Sequence, residues 1–365
     1  MKYRKMRILH LIKNFDFGGA ENHVRELANS LDELGHNVYI IAGKGRQVSC
    51  LNKGVRFFFL QLKDILMPLQ IIFICYISIK NKIQIIHAHQ RLSILMACIA
   101  GIITGIPVVV TVHGRTRYDM RSWISRRYSR KIIFVSRYIF EASERYKGII
   151  NKSVIIPNWI SISGNQSVKL PYSITYISRI DKKHSTIILM MIRKIIYSLV
   201  SKFPLITFNI IGEGDYLSEI REEARRLNIE LEREVCIVHG FVPVVEDIIQ
   251  RSVLVMGVGR VVLEAMACGV PVLSINQKRM GTLISTENYS FYKNTNFVAV
   301  EHQAPDEKSL TDLLDNFFTN LRFWQKESLI LQKYVNEDFN PIKASVAIGM
   351  LYEEVLLEMD NQILF

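Results

Sequence analysis

Short aliphatic runs, many of them β-branched, alternate with amphipathic helical stretches along the whole chain. Such a strand–helix–strand rhythm needs crossover connections, so it predicts α/β architecture with parallel sheets and right-handed crossovers. In the first half, strands are predicted near residues 7–12, 38–42, 85–87, 108–112, 132–135 and 154–156. In the second half they are predicted near 174–177, 207–211, 235–238, 253–255 and 270–275. Between the halves lies PNWISISGNQSVKLPYS, residues 157–173, which is polar, proline-flanked and without either period, and reads as a linker.

A chain of 365 residues, 49% hydrophobic and 22% charged, is too large for one core and too apolar for disorder. The expected division is 1–165, 166–340 and a C-terminal helix over 341–365 that packs back toward the first domain. Leu92 to Val112 carries no charge and is long enough to span a bilayer, which takes about 20 apolar residues. Gly105, Ile106 and Pro107 interrupt it, and the β-branched run beyond predicts helix, turn and buried strand instead. Cys50, Cys75, Cys98, Cys236 and Cys268 show no paired spacing, which suits packed thiols in a reducing compartment. The basic N-terminus has too short an apolar run for a signal peptide, so a cytoplasmic location is expected.

Charge divides where the linker falls. Residues 1–170 hold 26 Lys+Arg against 9 Asp+Glu, a net +17, and the remainder nets −5 within the overall +12. The first half therefore faces something anionic. Its basic residues are densest in HGRTRYDMRSWISRRYSRK, residues 113–131, with Tyr118, Trp123 and Tyr128 interleaved. That segment suits either an anionic membrane surface, at about 1 kcal/mol per basic side chain near the lipid, or a solvated basic face. No nucleic-acid-binding pattern accompanies it, so no nucleic acid is expected as partner.

VLVMGVGRVVLEAMACGVPV, residues 253–272, places Gly257 and Gly259 between an apolar strand and a helix, then one acid, Glu264, among small apolar residues. Val262 stands where a dinucleotide fingerprint needs its third glycine, so that motif is absent. Two glycines before a helix still let main-chain N–H groups approach a phosphate. Glu264, one turn on, is placed either to accept hydrogen bonds from a ribose diol or to pair with Arg260 at i,i+4.

In chain order, FGGAENHVRELANSLDELGHNVYII (17–41), VVVTVHG (108–114), VIIPNWI (154–160), YISRIDKKH (176–184), FNIIGEGDYLSEI (208–220), VHGFVP (238–243) and LEAMACGVPVL (263–273) resemble the retaining GT-B glycosyltransferases of family four. The resemblance implies two Rossmann-like domains facing a cleft, the second holding a nucleotide sugar and the first the acceptor. It implies that Phe241 and Val242 meet the base, with Gly212 and Gly214 shaping that pocket. Glu264 would accept the ribose hydroxyls, and Gly257, Gly259, Arg260 and Val261 would lie beneath the diphosphate. Arg179 and Lys183 would offset charge on the departing diphosphate, and Gly18 and Gly19 would open a helix toward the same phosphates. His113 would hydrogen-bond the transferred sugar. No metal or other cofactor is expected.

His87 and His89, in IIHAHQ, sit at a comparable strand end where they could line the acceptor side, but no third ligand supports a metal, so they stay unassigned, and Cys236 with His239 are equally unsupported. Two positions depart from the family pattern. Met256 stands where a second glutamate is usual, and the cationic turn is one residue short, so Lys182 or His184 is an alternative to Lys183. The resulting expectation is metal-independent transfer of a hexose or N-acetylhexosamine from a UDP- or GDP-sugar, with retention. The expected acceptor is a lipid-linked saccharide in cell-surface polysaccharide assembly, met by a peripheral protein at the inner membrane face. The alternatives are a non-catalytic nucleotide-sugar-binding subunit and a sugar-nucleotide epimerase.

Overall fold

The computed structural model describes residues 4–16, 18–114, 119–146, 148–160, 172–300 and 303–363. Phe17, Tyr118 and most of the expected linker lie outside these residues. The chain divides into two compact units, Met1–Trp159 with Phe339–Phe365, and Ile160–Asp338. These divisions fall a few residues before the boundaries at 165/166 and 340/341. Trp159 explains the first of them, because its side chain is buried in the core of the first unit.

In the first unit the strands are β1 (Arg7–Leu11), β2 (Asn37–Ala42), β3 (Arg56–Phe59), β4 (Ile85–His89), β5 (Val108–Val112), β6 (Lys131–Phe134) and β7 (Ser153–Ile155). They form one parallel sheet in the order β3-β2-β1-β4-β5-β6-β7. Its helices are α1 (Gly19–Glu33), α2 (Met67–Lys80), α3 (Arg91–Thr104), α4 (Met120–Tyr128) and α5 (Arg137–Glu141). One face of the sheet is covered by α2 and α3, whose Ile71, Ile74, Met96 and Ala97 join Leu9, Ile86 and Val110 in a shared core. The other face is covered by α1, through Val24, Leu27 and Leu31.

The uncharged run 92–112 resolves into α3, a left-handed Gly105 at φ 74 that ends the helix, and β5. Glycine meets that φ without the Cβ penalty a larger residue incurs. Among the described residues no helix is long and apolar enough to cross a membrane.

In the second unit the strands are β8 (Ser173–Ile177), β9 (Thr207–Ile211), β10 (Cys236–Gly240), β11 (Leu254–Gly257), β12 (Val272–Asn276) and β13 (Arg279–Leu283), ordered β10-β9-β8-β11-β12-β13. All pairs are parallel except β12 with β13. The helices are α6 (Ser185–Met190), α7 (Tyr197–Lys202), α8 (Leu217–Glu230), α9 (Glu246–Arg251), α10 (Arg260–Ala267), α11 (Tyr289–Asn294), α12 (Glu307–Thr319) and α13 (Leu321–Asp338). A π-helical segment, Met191–Ile196, joins α6 to α7. The last helix, α14 (Pro341–Ile363), belongs to the first unit, where Ile348, Leu351, Tyr352 and Val355 are buried against the α1 side of the sheet. Burying four such side chains stabilises its docking by about 1.5–3 kcal/mol each before entropy is subtracted.

Two strands escape the aliphatic pattern. β3 is an edge strand reading RFFF with both end residues exposed, and β13 reads RMGTL with a glycine at its centre. All five cysteines are free, with Cys75, Cys98 and Cys236 buried.

Candidate functional site

In the second unit, the sheet order reverses direction between β8 and β11, which are hydrogen-bonded neighbours in register Leu254↔Ile174 to Met256↔Tyr176. In open α/β sheets ligands bind outside the carboxyl ends of the strands at such a switch point. The loops leaving β10, β9 and β8 carry, in that spatial order, Phe241 with Val242, Gly212 with Gly214, and Arg179, while β11 ends on Gly257 with Gly259 in the loop beyond. The fold thus gathers these residues at one edge of one sheet.

Two glycines are required there by close approach of backbone to backbone. A Cβ on Gly212 would sit 1.9 Å from the Ser178 carbonyl oxygen, and one on Gly214 would sit 2.4 Å from that of Ile180. The Gly212 N–H donates to the Gly240 carbonyl at 2.9 Å, which holds Phe241 beside the β9 loop. Gly259 caps α10 at φ 62, and its carbonyl accepts from the N–H groups of Val262 and Leu263. By helix geometry the amides that open α10 point out of its N-terminus.

Glu264 Oε1 accepts from Arg260 Nε at 2.9 Å, so the i,i+4 pair is formed. Both side chains are largely shielded, which makes the carboxylate a fixed acceptor beside the helix start. Met256 is fully buried in β11 opposite Tyr176 and Leu273. A carboxylate contact from that position is therefore absent by construction: the side chain belongs to the core.

The cationic turn is built on Asp181. Its Oδ1 accepts from the N–H groups of Lys183 and His184 at 2.9 and 3.0 Å and from His184 Nδ1 at 2.7 Å. Hydrogen bonding by His184 holds the Asp181 carboxyl at about 2. His184 is thereby occupied, which leaves Lys182 and Lys183 as the exposed cations of the turn, with Arg179 exposed before it. Burial pushes the Cys236 thiol up to about 12, and His239 Nε2 meets Asn209 Oδ1 at 2.8 Å.

In the first unit, Gly18 caps α1 in extended conformation and Gly19 opens it. The first turn also carries Glu21, whose carboxyl accepts from Gln90 Nε2 at 2.6 Å and is raised by burial. A carboxylate in that turn works against an anion at the same helix end. His113 follows β5, its Nε2 3.4 Å from His89 Nδ1, and burial lowers it to about 4.

Sequence reasoning missed that His113 is one of five clustered imidazoles. His10 Nδ1 lies 3.3 Å from His89 Nε2, and the His23 ring sits edge-on to His113 with centroids 4.8 Å apart. His23 in turn donates toward Asn158 Oδ1 at 3.2 Å and packs on Trp159 at 4.2 Å, so the PNW segment buttresses it. His87 is held on both nitrogens, by Tyr352 OH at 2.5 Å and Thr111 Oγ1 at 2.7 Å. Two histidine triads, His10–His87–His89 and His23–His89–His113, have nitrogens within 4.8 Å of one another. Third ligands thus exist in space that the sequence spacing did not offer, although zinc, with Zn–N near 2.0–2.1 Å, would require those nitrogens to draw together. As it stands, His10, His89 and His113 form a hydrogen-bonded line of neutral imidazoles.

Two family models match in succession: Glycosyltransferase Family 4 over residues 17–163, and Glycosyl transferases group 1 over residues 171–315. One component of human phosphatidylinositol N-acetylglucosaminyltransferase is 23% identical over 248 residues, 57% of this chain and 48% of that protein. The chain thus spans about half the length of the curated relative it matches. A crystal structure of Anabaena HepE in complex with UDP and glucose superposes with a TM-score of 0.73 at 18% identity, covering 96% of this chain and all of the other. Sucrose-phosphate synthase from Thermosynechococcus elongatus superposes with a TM-score of 0.71 at 14% identity, covering 97% of this chain and all of that one. These likenesses show the fold, GT-B, with two predominantly parallel α/β units.

Proposed function

The chain belongs to the group 1 glycosyltransferases, and from that premise we propose that it transfers a hexose or N-acetylhexosamine from a UDP- or GDP-sugar to a lipid-linked saccharide, with retention of configuration, as a step in cell-surface polysaccharide synthesis. The observation that carries the donor assignment is the convergence of Phe241, Gly212, Gly214, Arg179, Gly257, Gly259 and Glu264 on four neighbouring strand ends at the switch point of the second sheet. Main-chain amides at the start of α10 would face the diphosphate, Glu264 the ribose, and Val242 with Phe241 the base.

Transfer leaves negative charge on the departing diphosphate, so fixed cations matter more than a strong base. Arg179 and Lys183 supply them in this reading, with Lys182 as the neighbouring alternative, and no metal ion is needed. His113, neutral at physiological pH, would donate or accept a hydrogen bond at the sugar and not act as a cation. The acceptor is assigned to the first unit by the net +17 of residues 1–170, most of which belong to it, which favours a pyrophosphate-bearing lipid at the inner face of the cytoplasmic membrane. The name of the human relative, a transferase acting on phosphatidylinositol, supports a lipid-borne acceptor.

Incubation with a panel of sugar nucleotides and membrane-extracted glycolipid tests the reading. Depletion of one donor with release of its nucleoside diphosphate is expected, and no depletion with no saturable nucleotide binding would overturn it. One observation favours a second reading: buried Met256, where the family has an acid, suits a nucleotide-sugar-binding subunit that needs an active partner. Nucleotide binding with turnover only after a partner is added would select it.

A further inference from the structure

Helix α2 is apolar on two opposite faces. One face, with Ile71, Ile74, Cys75 and Ile77, is buried against the sheet. The other, together with the preceding 3-10 turn Asp64–Leu66, shows Ile65, Leu69, Ile72, Tyr76 and Ile79 to solvent. Their spacing of four, three, four and three residues lines them up in a single stripe. Ile65 is 88% exposed, Leu69 67% and Ile79 66%. Single exposed apolar residues are ordinary, but a contiguous stripe marks an interaction surface.

Helix α4 extends the patch. Arg121 Nη1 lies 2.6 Å from Asp64 Oδ1, which fastens the start of α4 beside the turn that carries Ile65 and Leu66. Met120, 74% exposed, and Trp123, 53% exposed, flank that arginine. α2 packs on α3 and α3 on α4, so the three helices share one side of the sheet. The end of α3 adds exposed Ile102 and Ile103.

Charge identifies the occupant. Residues 63–131 contain eleven Lys or Arg and only two acids, Asp64 and Asp119. Each acid is engaged by an arginine, Arg121 and Arg91 respectively. Lys63, Lys80, Lys82 and Arg127 are exposed, Lys80 over the Tyr76 ring and Arg127 over Tyr128. A second copy of this chain would bring the same positive charge to the contact. An anionic bilayer accepts every component: acyl chains for the aliphatic stripe, headgroups for the amines, and the interface for Trp123, Tyr76 and Tyr128.

We infer that the outer face of the 64–66 turn, α2 and α4 is a docking surface that seats the protein on an anionic phospholipid bilayer, lying in the interface without crossing it. This deepens the lipid-acceptor reading, and its test separates the two. The full chain is sedimented with vesicles of phosphatidylcholine alone and of phosphatidylcholine with phosphatidylglycerol. Binding to the anionic vesicles is expected, at least tenfold weaker to the neutral ones and weakened by salt, with a blue shift in emission that Trp123→Phe removes. Leu69→Glu with Ile72→Glu should lower vesicle binding at least tenfold, while the thermal midpoint and UDP affinity stay at wild-type values. No binding to either vesicle, binding unaffected by the double substitution, or a dimer in gel filtration that this substitution dissociates would overturn the assignment. Vesicle binding without any nucleotide binding would instead remove the donor reading and leave this one standing.

Discussion

His89 Nδ1 lies 3.4 Å from His113 Nε2, and His89 Nε2 lies 3.3 Å from His10 Nδ1. Three imidazoles from β1, β4 and the end of β5, neighbours in the first sheet, thus form a line from the core to the strand end. Burial keeps all three neutral, His10 at about 3, His113 at about 4 and His89 well below its ordinary value. In a neutral imidazole the bond made by one nitrogen decides which nitrogen carries the proton. The line therefore sets the tautomer of His113.

His113→Ala should lower kcat about 10²-fold if it supports the transition state, with UDP affinity unchanged, because such hydrogen bonds strengthen only as charge develops. His89→Gln should lower kcat about tenfold by releasing the tautomer. Steady-state kinetics with the cognate donor check both, and wild-type kcat in His113→Ala would contradict the role.

The histidines also make stability depend on pH. In the unfolded chain each takes up a proton near pH 6.5, whereas the folded chain resists protonation down to about 4 at His113 and about 3 at His10. Stability is therefore full above about pH 6.5 and falls as the pH drops, by up to about 1.4 kcal/mol per pH unit for each imidazole still neutral in the fold. The urea midpoint should be clearly lower at pH 5.0 than at pH 7.5. Equal midpoints would contradict the burial of neutral imidazoles.

Glu264→Ala should weaken nucleoside diphosphate binding by about 1–3 kcal/mol if the carboxylate holds the ribose. Loss of the pair with Arg260 alone is worth only a few tenths of a kcal/mol of stability. Calorimetric titration distinguishes them: an affinity unchanged in Glu264→Ala assigns the residue to Arg260 only.

Met256→Glu restores the acid of the family pattern in sequence but not in space. The side chain is fully buried between β8 and β12, so an uncompensated carboxylate there should cost about 3 kcal/mol or more. A thermal melt checks it, and a gain in nucleotide affinity at wild-type stability would contradict the placement.

Most strands were legible because aliphatic runs buried on both faces leave an unmistakable pattern, as in the sequence of β5. β3 and β13 were not, since an edge strand needs only one covered face and Gly281 interrupts the second. The turns at Gly212 and Gly214 were legible because glycines must stand where chains approach closely, as Gly212 does to Ser178. The histidine cluster was not. His10 and His87 are paired residues of adjacent parallel strands, so aligning ILH with IIH would have hinted at it. Nothing local announces Tyr352, which reaches His87 from the far end of the chain.

Amide hydrogen exchange with and without UDP or GDP tests the central claim most directly, because it reports where the nucleotide sits. Protection is predicted in the loops after β8, β9, β10 and β11, around residues 178–184, 212–216, 241–243 and 258–265. No protection in those loops at saturating nucleotide, or protection confined to other segments, would contradict it.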